Sequence, residues 1–387
     1  MEAVRLVCTS CGHVEARLDA GCCSRCGGIV LAQYEKAYLD RGIDTIDFKH
    51  LKKGIFQFDG VLPPVQQKNR VTICEAGTPL VDARRLREKI GCGQLLIKDE
   101  TQNTTGSFKD RPISVCLSVA RELGCHRVVV ASSGNGAAAV AAYSASAGME
   151  NTVFVPECTP DAKVAQTLAY GGRVVRVPGN FSNSYRQAIE AARQDGVLNL
   201  TTTFLAPFGV EGDKTIAYEL YAQCDPLPDH VVIPVGAGPV FYGVYKGFAE
   251  LLAAGRIDRM PRLHAVQAQG CAPIVRGFRE QSAVKAEEQP STIASAICDP
   301  LIGYEENGDL TIQAIRASQG TAMAVSDEEI LRWGRMLAST EGLFAEPASA
   351  AAIAGVHLAV SSGVIAQHER VAAVITGSGL KDATAYL

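Results

Sequence analysis

The stretch Arg127-Val-Val-Val-Ala131-Ser-Ser-Gly-Asn135-Gly136 decides the fold class of this chain. Its first half is a short, continuous β-branched run, which is typical of a strand buried on both faces. Its second half is a loop of small residues, and the alanine-rich segment 137–148 that follows has the composition of a helix. The order strand, loop, helix predicts one unit of a parallel α/β sheet.

The same alternation continues along the chain from about residue 70. The last predicted helix opens with the capping box Ser326-Asp-Glu-Glu329, which satisfies backbone donors at a helix start. Short apolar strands that alternate with helices indicate an α/β fold with buried parallel sheet. Further strands are predicted at 94–98, 152–156, 173–177, 231–235, 263–267 and 371–375, and helices at 113–124, 163–170, 182–195 and 326–339.

The composition excludes several classes of protein. The 387 residues are 47% hydrophobic and 20% charged, and 37 Lys and Arg against 41 Asp and Glu give a net charge of −4. A disordered chain is therefore excluded, and nucleic acid is not an expected partner because no basic stripe is present. Apolar runs are strand-sized, well below the roughly 20 residues of a membrane helix. The first five residues contain no apolar signal segment, so we expect a cytoplasmic protein with no membrane partner.

Two Cys-x-x-Cys pairs, each followed by glycine, stand eleven residues apart near the start of the chain. Four thiolates in this arrangement can converge on Zn²⁺, and four protein ligands leave no open position for catalysis, so the predicted role is structural. A ribbon without metal is the alternative, and Cys22 and His13 are spare ligand candidates. A nucleic-acid-binding zinc ribbon is disfavoured by the net charge. The predicted ligands are Cys8, Cys11, Cys23 and Cys26.

Lys109 lies where the segment Thr104-Thr-Gly-Ser-Phe-Lys109-Asp-Arg111 introduces a helix. The positive end of the helix dipole favours anions, so a cationic amine is electrostatically misplaced there. This field and the nearby Arg111 favour the neutral, nucleophilic amine. A solvated surface lysine is the alternative for this residue taken alone.

Three further loops follow predicted strands. The loop after Ala131 offers a nest of backbone N–H groups at a helix start, suited to a carboxylate or phosphate, and Asn135 adds a directional amide. A plain tight turn is the alternative there. The loop Pro234-Val-Gly-Ala-Gly-Pro-Val240 resembles a phosphate cradle but matches neither nucleotide-binding fingerprint. The segment Ile375-Thr-Gly-Ser-Gly-Leu-Lys-Asp382 places hydroxyls at the carboxyl end of a strand, the edge of a sheet that ligands favour.

Together the four loops describe a pyridoxal phosphate site. Lys109 supplies the amine that forms a Schiff base, the cradle takes the 5′-phosphate, and a neutral hydroxyl faces the pyridine nitrogen. The sequence therefore predicts an enzyme that uses pyridoxal phosphate.

From about Glu75 to Asp382 the sequence resembles the threonine synthase family, which belongs to the fold type II, tryptophan-synthase-β-like pyridoxal phosphate enzymes. A cysteine-bearing N-terminal ribbon also occurs in some members. The resemblance is carried by Glu75-Ala-Gly-Thr-Pro-Leu80, Thr105-Gly-Ser-Phe-Lys-Asp-Arg111, Ser132-Ser-Gly-Asn135, Gln267-Ala-Gln-Gly-Cys-Ala-Pro-Ile-Val275, Ser291-Thr-Ile-Ala-Ser-Ala296, Glu346-Pro-Ala-Ser-Ala350 and Thr376-Gly-Ser-Gly-Leu-Lys-Asp382.

The resemblance implies an architecture of two open, mostly parallel twisted sheets with helices on both faces, plus the small four-cysteine ribbon. The implied organisation is a zinc-ribbon-like appendage at 1–32, a larger cofactor-binding domain at 33–112 and 206–387, and a smaller α/β domain at 113–205. Family members are commonly homodimers, and we expect the same here.

The resemblance also implies a role for each matching residue. Lys109 would form the Schiff base and move a proton between substrate carbons, Asn135 would hold the phenolic oxygen of the cofactor, and Thr376 would face the ring nitrogen. Arg111 would bind a substrate phosphate. The cofactor phosphate would be bound by Gly236, Ala237, Gly238, Pro239 and Val240, and the substrate carboxylate by Ser107, Ser132, Ser133 and Gly136.

Several positions depart from the family pattern. Pro112 follows Arg111 where glycine is common, Gly136 follows Asn135 where threonine is common, and Ser378 stands where histidine is common. In the cradle, Pro239 has no N–H to donate. Substrate-side residues thus differ while cofactor residues are kept, which fits a paralogue with an altered substrate as well as a threonine synthase.

The predicted function is β- or γ-elimination and replacement on an activated amino acid, foremost conversion of the phosphorylated substrate O-phosphohomoserine and water to threonine and phosphate. The enzyme alternatives are β-replacement of an activated serine, as in cysteate synthase or cysteine synthase, and serine/threonine dehydratase. A catalytically dead ligand-binding paralogue is the non-enzyme alternative, and the retained Lys109 argues against it.

Overall fold

The structure is a computed structural model that describes residues 1, 3–179 and 181–387. Within these residues the chain forms two compact units. Unit 1 comprises residues 1–77 and 109–215, and unit 2 comprises residues 78–108 and 216–387. In the described part of the chain, no helix is both long and apolar enough to cross a membrane.

Unit 1 is built on a four-stranded sheet in which all neighbouring strands are parallel. Its strands are β5 (Arg127–Ala131), β6 (Glu150–Pro156), β7 (Arg173–Val177) and β8 (Val197–Asn199), in the spatial order β7-β6-β5-β8. The helices that connect or flank them are α3 (Asp110–Glu122), α4 (Asn135–Ala147), α5 (Asp161–Ala169), α6 (Phe181–Ala191) and α7 (Gly209–Asp213). The predicted strands at 127–131, 152–156 and 173–177 are confirmed.

The start of the chain adds a two-stranded ribbon to unit 1. Strands β1 (Val4–Cys8) and β2 (Val30–Tyr34) pair antiparallel, and helix α1 (Lys36–Thr45) follows. These two strands were not predicted. The ribbon itself was predicted only from its cysteine spacing.

Unit 2 contains a six-stranded sheet that is parallel except at one edge, where β3 pairs antiparallel with β4. Its strands are β3 (Leu80–Asp82), β4 (Gln94–Asp99), β9 (His230–Pro234), β10 (Arg262–Ala268), β11 (Ala322–Val325) and β12 (Arg370–Ile375), in the order β11-β10-β9-β12-β4-β3. Its helices are α2 (Arg84–Ile90), α8 (Thr215–Gln223, which begins on the last residue of unit 1), α9 (Pro239–Ala253), α10 (Pro273–Glu280), α11 (Glu306–Ala317), α12 (Asp327–Glu341) and α13 (Pro347–Ser361).

The core of unit 2 lies between the sheet and the alanine-rich helix α13. Small side chains let this helix approach the strands closely: a Cβ at Gly355 would collide with Val266 of β10. Trp333 of α12 is buried in the same core. Helix α12 begins as predicted, because the Ser326 hydroxyl accepts a hydrogen bond from the Glu329 N–H at 3.2 Å.

The compact units divide the chain at different places from the predicted domain borders. The units change at 77/78, 108/109 and 215/216, whereas the predicted borders fall at 32/33, 112/113 and 205/206. Residues 33–77, predicted in the larger domain, group with unit 1. The physical reason is a buried carboxylate, Glu75, which accepts hydrogen bonds from Ser114 of α3 at 2.8 Å and Tyr143 of α4 at 2.9 Å.

Candidate active site

Lys109 lies immediately before helix α3, as predicted, and is half-buried. Its Nζ donates a hydrogen bond to the Thr202 Oγ1 at 2.8 Å. Thr202 follows β8, one of the parallel strands of unit 1, so it lies beyond the carboxyl end of that strand. This is the edge at which open α/β sheets bind ligands. Sequence reasoning missed Thr202, although a run of three threonines after an apolar segment was a visible signal.

The serine-rich loop meets Lys109 at the same place in unit 1. A Cβ at Gly136 would lie 3.1 Å from the Ser132 Oγ and 3.2 Å from the Thr202 Oγ1. The structure thus brings together Lys109, Ser132 and Gly136, with Thr202 among them. Ser133 and Asn135 lie on the same loop, and Asn135 is the first residue of helix α4. Backbone donors at that helix start suit an anionic group.

Ser107 and Thr376 lie side by side in unit 2. Ser107 pairs with Gly377 in an isolated antiparallel bridge, and the Phe108 N–H donates to the Thr376 carbonyl at 2.8 Å. The Ser107 Oγ is buried and has no hydrogen-bond partner among the described residues. A buried hydroxyl without a partner is costly, so this position fits a polar ligand group.

Ser349 of helix α13 holds the Thr376 side chain. The two hydroxyl oxygens lie 2.8 Å apart, and the Ser349 Oγ also accepts a hydrogen bond from the Gly377 N–H at 2.7 Å. Thr376 is buried, at 5% exposure, so its hydroxyl is a neutral group with a defined position. Ser349 falls in a motif that carried the resemblance, but no role was predicted for it.

The loop between β9 and α9 has the form of an anion cradle. Gly238 adopts a φ of 108°, and a Cβ there would collide with the Thr311 Oγ1, so only glycine fits. The N–H groups of Gly236, Ala237 and Gly238 donate to no acceptor in the described part of the chain. Pro239 occupies the first turn of α9, where a missing N–H costs nothing.

Asn307, a residue with a buried side-chain amide, has its backbone close to this cradle. The Asn307 Nδ2 is buried without a hydrogen-bond partner among the described residues, and the Asn307 carbonyl lies 3.5 Å from the position of a Gly238 Cβ. Free backbone donors and an unpartnered amide are the groups that a phosphate needs. The cradle residues of unit 2, Gly236, Ala237, Gly238, Pro239 and Val240, therefore fit a cofactor phosphate.

Arg111 lies in the interior of unit 1. Its side chain is fully buried, and its Nη1 donates to the Thr215 Oγ1 at 2.9 Å. Helix α7 packs closely against it, because a Cβ at Gly212 would collide with the Arg111 carbonyl group. These contacts hold Arg111 in the interior of unit 1 at the start of α3, and binding of a substrate phosphate stays a prediction.

The four predicted metal ligands converge. The Sγ atoms of the two Cys-x-x-Cys pairs all lie within 4.8 Å of one another, with the pairs Cys8–Cys26, Cys11–Cys23 and Cys11–Cys26 at 3.5, 3.7 and 3.4 Å. Tetrahedral zinc with Zn–S bonds of about 2.3 Å requires sulfurs about 3.8 Å apart. The geometry of the four thiols therefore fits zinc.

Burial and hydrogen bonds shift the pKa values of two of these thiols. The two spare ligand candidates lie apart from the four. Burial opposes ionisation of Cys8, but backbone hydrogen bonds from Cys11 and Ser10 lower its pKa to about 6. Burial raises the pKa of Cys23 to about 12. Cys22 is exposed and, like His13, lies outside the cluster.

Comparison with known proteins identifies the class. Residues 71–377 match the family model described as pyridoxal-phosphate dependent enzyme, which spans most of the chain. The chain therefore belongs to the pyridoxal-phosphate dependent enzymes.

Within that family, the chain is similar to threonine synthases over nearly its whole length. It is 36% identical over 378 residues to the threonine synthase of Methanocaldococcus jannaschii and 39% identical over 381 residues to that of Methanosarcina acetivorans. Each alignment covers 97% of this chain and 92% of the relative. The predicted resemblance to the threonine synthase family is confirmed.

Solved structures confirm the fold. Maize serine racemase superposes with a TM-score of 0.69 at 21% identity, covering 79% of this chain and 89% of the racemase. At this identity the likeness concerns the fold alone, and it confirms the predicted fold type II architecture with parallel sheets.

Proposed function

We propose that this protein is a threonine synthase that converts O-phosphohomoserine and water to threonine and phosphate. The observation that carries the proposal is the identity of 36–39% to enzymes named threonine synthase across 97% of the chain. Gly136 and Ser378 differ from the family pattern at positions on the substrate side. The test of this proposal is therefore a comparison of substrates.

In this proposal the residues that the family resemblance implies carry the chemistry. Lys109 would hold pyridoxal phosphate through its amine, and the same amine would move protons between substrate carbons. The bound cofactor supplies an electron sink for the carbanion that these proton transfers create. Asn135 would hold the phenolic oxygen of the cofactor. Thr376, held by Ser349, presents a neutral hydroxyl to the ring nitrogen.

The remaining predicted residues bind anions. The free N–H groups of the Gly236 to Gly238 loop take the cofactor phosphate, and Val240 and Pro239 begin the helix whose positive end supports it. The substrate carboxylate is received by Ser107, Ser132, Ser133 and Gly136. The unpartnered Ser107 hydroxyl supports this assignment.

The decisive experiment offers three compounds separately to purified protein with pyridoxal phosphate: O-phosphohomoserine, O-phosphoserine and threonine. Phosphate, ammonia and amino-acid products are measured in each case. We expect phosphate and threonine from the first compound alone. Phosphate from O-phosphoserine together with a β-substituted alanine, formed when sulfite or sulfide is added as the nucleophile, would replace the proposal with a β-replacement enzyme. Ammonia from threonine would replace it with a dehydratase.

A covalent test isolates the role of Lys109. Borohydride reduction of the wild-type protein with pyridoxal phosphate should leave about one cofactor per chain attached. Lys109→Ala should trap none, whereas Lys68→Ala, which removes an exposed lysine, should trap as much as the wild type. Absence of trapped cofactor in the wild type would support a dead ligand-binding paralogue.

For the ribbon we propose a structural zinc ion held by Cys8, Cys11, Cys23 and Cys26. The convergence of the four Sγ atoms supports this site. After exhaustive chelation of loosely bound metal, about one zinc per chain should remain. Cys11→Ser should lose the metal, and the exposed neighbour Cys22→Ser should keep it; retention by both variants would contradict the site.

We also propose that the enzyme is a cytoplasmic homodimer, as the family resemblance implies. Light scattering of the purified protein would test the dimer, and a mass of one chain at micromolar concentration would contradict it. Fractionation of cells that express the protein would test its location.

A further inference from the structure

We propose that Thr202 is a positioning residue for Lys109, holding the free amine at the place where it must react. This inference rests on the proposed function, because it assigns a task to the hydroxyl that contacts the catalytic lysine. The observation behind it is the hydrogen bond from the Lys109 Nζ to the Thr202 Oγ1 at 2.8 Å, within unit 1.

The loop that carries Thr202 is fixed by its two neighbours. The Ala131 N–H at the end of β5 donates to the Thr201 Oγ1 at 2.9 Å, and the Leu205 N–H donates to the Thr203 Oγ1 at 3.3 Å. Both neighbours are buried, whereas Thr202 is half-buried and faces the amine. The hydroxyl groups of Thr201 and Thr203 therefore accept hydrogen bonds from the backbone. These bonds fix the loop that positions the Thr202 hydroxyl.

The start of helix α4 encloses the same hydroxyl. A Cβ at Gly136 would lie 3.2 Å from the Thr202 Oγ1, closer than most Cβ contacts. The absence of a side chain at Gly136 thus leaves the room that the Thr202 hydroxyl uses. The hydroxyl beside Lys109 therefore comes from the loop after β8, because Gly136, the residue after Asn135, has no side chain.

The chemistry explains why such a hydroxyl matters. Lys109 has a long, flexible side chain, and its amine must return to one position each time it is released from the cofactor. A hydroxyl is a neutral acceptor that orients one N–H without adding a negative charge beside the amine. Correct placement of a reacting group can change a rate by about 10²-fold for an error of about 1 Å.

The test compares three variants of the full-length protein loaded with pyridoxal phosphate. Thr202→Val removes the hydroxyl at nearly constant shape, and Thr202→Ser keeps it. Thr203→Val is the matched control, because it removes a hydroxyl of the same loop that accepts a hydrogen bond from the Leu205 N–H rather than from Lys109. Circular dichroism and thermal melting of each variant show whether it folds.

We expect kcat to fall about 10²-fold in Thr202→Val with KM changed less than about threefold, and Thr202→Ser to recover most of the loss. Two readouts do not depend on activity. Apoprotein with Thr202→Val should react with added pyridoxal phosphate more slowly, as followed by the absorbance of the lysine-bound cofactor. The pH at which that absorbance changes should also shift.

Equal losses in Thr202→Val and Thr203→Val would overturn the inference, because a general loosening of the loop would then explain both. Failure of Thr202→Ser to recover the rate, or unchanged cofactor spectra and binding rates in Thr202→Val, would overturn it as well. Failure of the proposed function looks different: the wild-type protein would itself bind no pyridoxal phosphate or release no phosphate from O-phosphohomoserine.

Discussion

Glu75 and Glu219 are fully buried carboxylates, one in each compact unit, and they are stabilised in different ways. Glu75, in unit 1, accepts hydrogen bonds from three hydroxyl groups and two backbone N–H groups at 2.8–3.3 Å, and none of these donors is a cation. The single proton of the Ser114 hydroxyl is shared with the Val71 carbonyl at 2.6 Å. The donors are Ile55 N, Thr72 Oγ1, Ile73 N, Ser114 Oγ and Tyr143 OH.

Glu219, in unit 2, is stabilised by a buried ion pair. The Lys98 Nζ donates to the Glu219 Oε2 at 2.6 Å, to the Gln223 Oε1 at 2.9 Å and to the Thr78 carbonyl at 2.8 Å. All three protons of the ammonium group are therefore used. Glu219 also accepts a hydrogen bond from the Thr78 N–H at 3.1 Å.

The difference is informative because both networks fix parts of one motif, Glu75 to Leu80. Glu75 holds the turn in which Cys74 and Ala76 adopt positive φ angles of 73° and 65°, an unfavourable conformation for residues with side chains. Thr78, three residues later, belongs to the ion-pair network. A carboxylate held by many neutral donors loses little when one is removed, whereas a buried ion pair fails when either partner is lost.

The largest effect should follow from breaking the ion pair. Lys98→Met removes the cation that pairs with the buried Glu219 carboxylate at 2.6 Å, so we expect the free energy of unfolding to fall by about 3–5 kcal/mol. Urea unfolding measures this change, with the exposed Lys89→Met as control. The double variant Lys98→Met/Glu219→Leu should recover most of the loss. A single variant as stable as the wild type would refute the importance of the pair.

The next effect should follow from changing Glu75 itself. Glu75→Gln keeps the size but turns one acceptor oxygen into a donor, which would face groups that are themselves donors. The hydroxyl and N–H groups that face this oxygen would lose their acceptor. This loss should lower the free energy of unfolding by about 2–3 kcal/mol. The exposed Glu157→Gln of the same unit is the control and should change it by less than about 0.5 kcal/mol. Similar values for the two variants would contradict the proposed role of the network.

These networks also show what the sequence could and could not predict. The long β-branched runs, such as the one at 127–131, predicted their strands because a buried parallel strand has a local signature. The three- and four-residue strands β3, β8 and β11 were missed because they are too short to show any period. The predicted grouping of 33–77 differs from the observed one because the contact between Glu75 and Tyr143 spans 68 positions and leaves no local pattern.

The residues of the candidate site also divide into those that the sequence could predict and those that it could not. Lys109 and the cysteine ligands were predicted because their motifs are contiguous or regularly spaced. Thr202, Ser349 and Asn307 were not assigned roles. Thr202 and Ser349 each reach a partner in a distant segment through a single side chain, and the Asn307 amide has no partner among the described residues. Residue type alone cannot distinguish these three from the many threonines, serines and asparagines that face water.

The third prediction concerns the pH dependence of stability that arises from a buried histidine of unit 2. In unit 2, burial lowers the pKa of His264 to about 3, with His230 and Arg262 adding to the shift and Glu369 opposing it. A lowered pKa in the folded protein means that the unfolded chain takes up the proton first, so stability is full above about pH 6.5 and falls in acid. From pH 7 to pH 5 we expect a loss of about 2 kcal/mol from this group.

Chemical unfolding at the two pH values measures this loss. The variant His264→Asn should show a smaller change with pH than the wild type, even if it is less stable at pH 7. His368→Asn removes an exposed histidine and should leave the pH dependence unchanged. Equal pH dependence in all three proteins would contradict the assignment to His264.

The smallest effect tests the claim that the Glu75 network tolerates the loss of one donor. Tyr143→Phe removes a hydroxyl that donates at 2.9 Å and leaves four donors on the carboxylate, so we expect a loss of about 1 kcal/mol at pH 7. Burial raises the pKa of Tyr143, and the charges of Asp110 and Glu75 and the hydrogen bond to Glu75 raise it further. Wild-type stability should therefore fall above about pH 10, where the unfolded tyrosine ionises but the folded one does not.

Tyr143→Phe should lose less stability than the wild type over that alkaline range, so the two unfolding curves should converge as the pH rises. Tyr170→Phe, which changes a less buried tyrosine of the same unit, should run parallel to the wild type. A loss of 3 kcal/mol or more at pH 7 in Tyr143→Phe would mean that the Glu75 network depends on each donor as strictly as Glu219 depends on Lys98. The contrast between the two units would then fail, because neutral donors would be no more interchangeable than a buried ion pair.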